Sequence, residues 1–342
     1  MKSRLFMVLV WLASSTCTRP NQAVCCATAE DCFAIGVDDL RPCEQGLACV
    51  DHMCEPSSCA QNGCPASAAV CNLTSGTCGP CSTSDQCTNV APLDLCDPAS
   101  GSCVECVSNS DCAGSKPTCK DHACQGCVLD GQCSSLACLT DGSCAESAAV
   151  LYVGPNGTDT GACSRASPCR SVAFALGTAT STINQIVLLP GAYAENVHVT
   201  SSTTSSSSIG IHGTGASLAS AGGEDPTIWI EDVATTVSGL SFGEGLGIAV
   251  QTGAAPVTLN HMRVQRATGI VSGTALTVRD SEFDTTNEAV QLRGGHVLLE
   301  RVRIHAGGSA IRELQTVQAT TLECVNVAID RTQFVPVTER PC

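Results

Sequence analysis

Three groups of side chains in this chain of 342 residues are of types that do chemistry. Asp280, Glu282 and Asp284 alternate along one short stretch, with Glu300, Glu313 and Glu323 following. A carboxyl pair held across a glycosidic bond can act as acid and base, the work such pairs do in glycoside cleavage. The cysteines offer a second chemistry. Cys78-Gly-Pro-Cys81, Cys103-Val-Glu-Cys106 and Cys124-Gln-Gly-Cys127 have the CxxC spacing of zinc or iron–sulfur ligands, and the first matches a redox dithiol string, though at a repeat junction and not at the strand-to-helix turn such a dithiol occupies. The third group centres on Trp229 in Thr227-Ile-Trp-Ile-Glu-Asp232. With Ile228 and Ile230 inward, its indole points outward, where it can stack on a sugar ring while His198, His212, Glu231 and Asp232 supply hydrogen bonds.

The carboxylates sit in a repeat that must position them. Five phrases read apolar-x-x-apolar-x-apolar: Val237-Ser-Gly-Leu240-Ser-Phe242, Leu259-Asn-His-Met262-Arg-Val264, Val278-Arg-Asp-Ser281-Glu-Phe283, Leu299-Glu-Arg-Val302-Arg-Ile304 and Leu322-Glu-Cys-Val325-Asn-Val327. Their last apolar positions lie 22, 19, 21 and 23 residues apart. That period predicts a solenoid in which each turn buries its inner face against its neighbours. Short second strands follow the phrases at Gly247–Val250, Gly269–Val271, Ala289–Leu292 and Ala310–Ile311. Parallel strands stack ~4.8 Å apart, so like positions form ladders. Phe242, Val264, Phe283, Ile304 and Val327 are the expected core ladder. The middle polar position reads Ser241, Arg263, Glu282, Arg303 and Asn326. One turn position reads Asn260, Arg279, Glu300 and Glu323, and the next Gly239, His261, Asp280 and Arg301. Carboxylates thus fall beside arginines, and exposed pairs of this kind, each worth ~0.2–1 kcal/mol, need no catalytic explanation.

Composition divides the chain. All but four of its 27 cysteines lie at or before Cys144, and the remainder is rich in Gly, Val, Thr, Ser and Ile. The net charge of −15 argues against nucleic acid, which requires a basic footprint, and against an anionic membrane surface. Met1-Lys-Ser-Arg4 followed by Leu5 to Ala13 has the basic and short apolar regions of an export signal, too short to span a bilayer. Between Cys25 and Cys144 the only aromatic residue is Phe33, so disulfides must replace an apolar core. The cysteines repeat with a unit of about 21 to 25 residues, clearest from Cys81, Cys106 and Cys127, and Gln86, Asp111 and Gln132 each precede the second cysteine. Export favours disulfides over metal at the CxxC pairs, which fall at the repeat junctions.

Four resemblances bear on these segments. Ala13-Ser-Ser-Thr-Cys17 resembles a bacterial lipobox, which implies lipidation of Cys17 after removal of residues 1–16. Ser14 and Thr16 depart from the usual residues, so cleavage after Ser15 stays open. Residues 25–144 resemble the cysteine-rich repeats of bacterial surface proteins and, in spacing, the Dickkopf-type N-terminal cysteine-rich module. After a linker at 145–150, residues 151–342 are expected to form one domain. Its "VGPNG" opening, "ASPCRSVAFAL" cap and "LLPGAYAENVHV" first rung closely resemble the entry of right-handed parallel β-helix proteins of the pectate-lyase-like superfamily. The implied fold class is all-β, a right-handed parallel β-helix solenoid after a disulfide-rich, loop-dominated repeat region. Two disulfides are expected, Cys163 with Cys169 and Cys324 with Cys342, other pairings remaining open.

The resemblance implies an enzyme only if its catalytic strings are present. The pectate-lyase Asp cluster for Ca²⁺, the polygalacturonase aspartate pairs with their Gly-His-Gly and Arg-x-Lys strings, and the methylesterase QDT and DFIFG motifs are all missing. The expectation is therefore an exported, lipid-anchored or secreted bacterial surface protein of the outer membrane or cell exterior. It would contact a polysaccharide or another surface protein without catalysis, cofactor or metal. A diverged polysaccharide lyase or hydrolase using Asp280, Glu282 and Asp284 is the alternative, and a purely structural surface protein the third.

Overall fold

The computed structural model describes residues 47–50, 53–56, 59, 63–72, 77–88, 90, 92–222, 226–244, 247–313 and 320–331. The export segment, Cys17 and Cys342 lie outside them. The chain divides into two compact units, Met1–Val107 and Ser108–Cys342.

The cysteine repeats pair a 3-10 turn with a two-stranded hairpin, reduced in the last repeat to the single bridge Cys138–Cys144. In the repeat that starts at Cys81, the turn Ser84–Cys87 leads to the antiparallel pair Leu95–Asp97 and Ser102–Val104. The first cysteine bonds the third and the second bonds the fourth: Cys81–Cys96 with Cys87–Cys103, and Cys127–Cys138 with Cys133–Cys144. Cys59–Cys71 and Cys64–Cys78 follow the same order in the earlier, less regular copy. The recurring Gln or Asp before the second cysteine has a local cause. Its side-chain oxygen accepts the backbone N–H groups that open the turn, Ser82 and Thr83 for Gln86, Ser108 for Asp111, Val128 and Leu129 for Gln132. The residue three after the first cysteine also has a fixed task. Ser84 Oγ, Asn109 Oδ1 and Asp130 Oδ1 accept the N–H of Cys96, Cys119 and Cys138, at 3.2, 2.8 and 2.9 Å. Cys78, Cys81, Cys103, Cys106, Cys124 and Cys127 are all disulfide-bonded, so the CxxC pairs hold neither thiolate ligands nor a redox dithiol.

The second unit contains a parallel β-solenoid of about six turns. Its first face has eight strands, Val150–Val153, Gln185–Leu188, Ser208–His212, Ala234–Ser238, Val257–Asn260, Leu276–Arg279, Gly295–Glu300 and Thr320–Val325. Seven shorter strands from Gly191–Ala194 to Ala328–Arg331 make the second face, and six from Val197–Val199 to Ile311–Glu313 the third. Period-2 alternation sends Ile186, Ile211, Val237, Leu259, Val278 and Leu299 inward from the first face, where each is buried. Phe242, Val264, Phe283 and Ile304 form the expected inner ladder of the second face, each at most 1% exposed.

The phrases owe their spelling to the corner between these two faces. Gly239, His261, Asp280, Arg301 and Asn326 occupy it with φ of 69, 54, 49, 53 and 54°. Left-handed backbone is costly for a side chain such as Arg. Each residue is held there by its neighbour, because the N–H of Gly239, His261, Asp280 and Arg301 bonds the carbonyl of Asn260, Arg279, Glu300 and Val325 on the next turn. Ser281 stands where other phrases have an apolar residue. Its buried hydroxyl accepts the Met262 N–H at 3.0 Å and donates to the Arg279 carbonyl at 2.7 Å.

The last phrase is displaced by two residues from its expected position. Leu299 is in register with Cys324, Glu300 with Val325 and Ile304 with Ile329. The structural phrase therefore runs from Cys324 to Ile329, Asn326 takes the corner, and Ile329 replaces Val327 in the inner ladder. Glu323 lies beside Leu298, not beside Glu300. A two-residue slip preserves the inward and outward alternation, which is why letter pattern alone could not exclude it.

The N-terminal end of the solenoid is closed by the helix Val172–Thr178, whose Val172, Ala175 and Leu176 join the core. Ser171 Oγ accepts the Phe174 N–H, and the Glu195 carboxylate takes the N–H groups of Val172 and Ala173 at 2.9 and 2.8 Å. Cys163 and Cys169 are bonded as expected. Cys324 is also in a disulfide. The segment 145–150 is packed at its two ends, while Glu146, Ser147 and Ala148 are exposed. Ala145 and Val150 bury against Ala137, Tyr152 and Val187, so the last cysteine repeat belongs to the solenoid's unit. These disulfides fit an extracellular or otherwise oxidising environment, and no described helix is long and apolar enough to cross a membrane.

Candidate functional site

The carboxylates form an ion-pair ladder. Both oxygens of Asp280 accept from Arg301, at 2.6 Å from Nε and 2.8 Å from Nη2. Glu300 accepts from Arg279 Nε at 2.8 Å and from Arg301 Nη1. Glu282, on the outward side of the second face, lies 3.8 Å from Arg263 Nε. Asp284 is exposed on the same strand, in register with Gln265 and His305. The Arg301 hydrogen bond, outweighing partial burial and helped by the charges of Arg301, His261 and Arg279, holds the Asp280 carboxyl below the usual carboxylate range. Arg279 and then Arg301 do the same for Glu300. A general acid needs a carboxyl that keeps its proton near neutrality, and these two are tuned the other way.

Trp229 sits on the third face with its indole outward and half-buried, between buried Ile228 and Ile230. Parallel register sets His198 on one side of it and Gln251 on the other, and the row continues through Val271, Gln291 and Arg312. The His198 ring meets the indole edge-on, with centroids 5.2 Å apart and planes at 70°. Arg312 Nη1 and Gln291 Nε2 both donate to Glu288, at 2.8 and 3.3 Å. Glu231 and Asp232 follow the Trp229 strand and are exposed. The Asp232 carboxylate accepts the Ser201 N–H and hydroxyl at 2.7 and 2.5 Å, which pins the serine-rich loop to this edge.

His212 does not belong to that group. It lies on the first face, 1% exposed, with Nδ1 2.8 Å from Asp130 Oδ1 and Nε2 2.9 Å from Gln185 Oε1. Ser238 Oγ donates to the other Asp130 oxygen at 2.8 Å. His212 faces away from the core, and what covers it there comes from a distant part of the chain. Asp, His and Ser meet here in the wrong order for nucleophilic catalysis: serine bonds the carboxylate and not the imidazole, and all three are buried. The cluster is a latch that seats the last cysteine repeat on the solenoid. Burial alone would raise the Asp130 carboxyl, but the hydrogen bond and charge of His212, with the Cys138 N–H and Ser238, lower it below its ordinary value. Gly210 is required beside it, because a Cβ there would stand 2.0 Å from Gln185 Oε1 and 2.8 Å from His212 Nε2. Around the latch Tyr152 donates to the Ser135 carbonyl at 3.2 Å and Arg165 to the Ser134 carbonyl at 2.7 Å.

The latch was missed in the sequence, although it left a trace there. At the position where the two preceding repeats carry neutral Ser84 and Asn109, the last repeat carries Asp130. Once seated, its loop Cys138–Gly142 stands over the first face with a groove on either side. The larger, of about 620 Å³, reaches Ser238, Asn260, His261, Arg279, Asp280 and Arg301. The smaller, of about 410 Å³, reaches Gln185, Gly210, Thr236 and Thr258.

Comparisons with protein-family models, with curated proteins and with solved structures gave no significant match to the chain.

Proposed function

We propose that this is an exported, non-catalytic surface protein whose solenoid holds a glycan along its third face. The observation that carries this reading is the row His198, Trp229, Gln251, Gln291 and Arg312 along the outer side of the third face, interrupted only at buried Val271. An indole gives the apolar face a pyranose stacks on, and imidazole, amide and guanidinium groups beside it supply directional hydrogen bonds. Turns ~4.8 Å apart place successive groups at about the spacing of successive sugars in an extended chain. The arginine-neutralised carboxylates on the neighbouring corner support binding rather than cleavage. The solenoid and its helical cap fit kinship with the pectate-lyase-like superfamily. The leader and Cys17 fit a lipid anchor in a bacterial outer membrane, with the disulfide-rich repeats as its stalk.

On an array of neutral and acidic polysaccharides the full chain is expected to retain at least one glycan. Trp229→Ala is expected to weaken that binding about tenfold, the equivalent of ~1.4 kcal/mol, without shifting the melting temperature. No retained glycan, or equal retention by the variant, sinks the third-face reading. Turnover of a polyuronide or glycan that is lost in an Asp280→Ala, Glu282→Ala, Asp284→Ala variant would replace it with the enzyme reading. For the anchor, growth of the expressing cells on radioactive fatty acid is expected to label the wild type and not Cys17→Ser.

A further inference from the structure

We infer, on the footing of the third-face reading, that the glycan held there carries free amino groups, as in an unacetylated hexosamine polymer, and that Glu231 selects it. Glu231 is the next residue on the outer side of the Trp229 strand. Side chains two apart along a strand share a side and stand ~6.6 Å apart, which puts Glu231 at the rim of the indole. The backbone is still in the ladder at this point, because the Glu231 N–H bonds the Val199 carbonyl of the preceding turn at 3.0 Å.

The ligand's charge follows from which groups around Trp229 are already paired. Glu231 is exposed, and its carboxylate has no hydrogen-bond or ion-pair partner among the described residues. Its neighbours across the ladder are Thr200 and Gly253, since the Glu231 N–H bonds Val199 and the Gly253 N–H bonds Ile230. Neither can neutralise it. Asp232 is bonded by the Ser201 hydroxyl and N–H, uncharged donors that hold its carboxyl below the usual range and leave its charge in place. Arginines are engaged or distant. Arg312 is bound to Glu288 at 2.8 Å, and exposed Arg293 follows Leu292 three turns further on, ~14 Å away along the face. His198 is the one titratable group on the other side of the indole. An aromatic face beside an unpaired carboxylate, with no permanent cation in reach, attracts a positively charged ligand and repels uronates and sulfated sugars.

A hexosamine answers both features. Its pyranose lays apolar C–H groups on the indole, while a protonated amine on the ring edge pairs with Glu231 and gains from the negative face of the aromatic system. N-acetylation removes that charge, and a neutral hexose has none to bring. The ammonium of a lysine-bearing peptide would meet the same pair. Gln251, Gln291 and Arg312 on later turns favour the glycan, because they supply partners for the hydroxyls of further sugars along the face.

The test measures binding of the full, disulfide-intact chain to β-1,4-linked hexamers of glucose, N-acetylglucosamine, glucosamine and glucuronic acid, with a lysine hexapeptide alongside. At about pH 7 the amine is charged and an ordinary carboxyl ionised. The glucosamine hexamer is expected to bind about fivefold more tightly than the glucose and N-acetylglucosamine hexamers, the equivalent of ~1 kcal/mol, and the glucuronic acid hexamer most weakly. Glu231→Gln should abolish the preference without changing the affinity for the glucose hexamer, and added salt should reduce it. Glu146→Gln, which removes an exposed charge elsewhere, should keep it. Equal binding of the glucose and glucosamine hexamers, both weakened by Trp229→Ala, overturns the amine assignment alone and leaves a third-face site for neutral glycan. Binding of no hexamer, or indifference of every hexamer to Trp229→Ala, overturns the third-face reading with it. A preference lost equally in Glu146→Gln overturns the role of Glu231 in favour of net charge. Tighter binding of the lysine peptide than of the glucosamine hexamer overturns it in favour of a peptide ligand.

Discussion

Replacing Asp130 by Ala is expected to free the last cysteine repeat from the solenoid, at a cost of about 3 kcal/mol. Three buried partners lose their acceptor at once: the His212 imidazole, the Ser238 hydroxyl and the Cys138 N–H. Hydrogen exchange is the appropriate readout, since the disulfides within the repeat keep it folded when it separates. Amides of residues 127–144 should lose protection in Asp130→Ala, while those of the turns beyond Val257 keep theirs. Asp130→Asn should lose less, because Asn109 performs the same backbone task in the preceding repeat. Unchanged protection in Asp130→Ala would show that the apolar contacts of Tyr152 and Val187 suffice alone. The pH dependence has a definite sign. Asp130 has a lowered folded-state value relative to its ordinary 3.8, so its contribution is fully present above that value. It is lost as pH falls through the lower folded value. The latch should therefore stay closed at neutral and mildly acidic pH and open only in strong acid.

Phe283→Ala is expected to be the most destabilising substitution in the solenoid core, at about 3–5 kcal/mol. Phe283 is fully buried, stacked between Val264 and Ile304 on adjacent turns. Its ring also fills the space against Gly269, where a Cβ would come 2.9 Å from Cδ1. A closed solenoid turn cannot collapse readily onto the cavity, since its backbone is hydrogen-bonded to turns on both sides. The measurement is the denaturant midpoint of the disulfide-intact protein, followed by far-ultraviolet circular dichroism. A change below ~1 kcal/mol would mean that the core repacks around the cavity. Phe283→Leu should recover most of the loss, because it restores volume.

Much of the architecture was legible because it is local and repeated. The inner letters of each phrase, the glycines and the strand alternation all report on one turn and recur at every turn, so even weak signals add. The corner row Gly239, His261, Asp280 and Arg301 was read correctly from letters alone, and so was the neutralisation of its carboxylates. The error at the last turn came from the same source. Leu322 and Cys324 both fit the apolar position, and only the hydrogen-bonded register distinguishes them. Trp229 and His198 were correctly placed on one face because they fall on adjacent turns. His212 was joined to them as a residue of a neighbouring turn, but its register places it on the first face.

By itself, the sequence determined a disulfide-stapled repeat region, a parallel solenoid and its inner ladder from Phe242 to Ile304, and it made Cys163 with Cys169 the expected pairing while leaving others open. Those features follow from hydrophobic periodicity and short-range closure, which are written along the chain. Tertiary structure alone decided that the last cysteine repeat joins the solenoid, because that contact links Asp130 with His212 and Ser238, 82 and 108 residues away. No periodicity encodes such a contact. It depends on shape and on a single carboxylate meeting two partners in a buried place, and the groove formed beside it follows from the same contact.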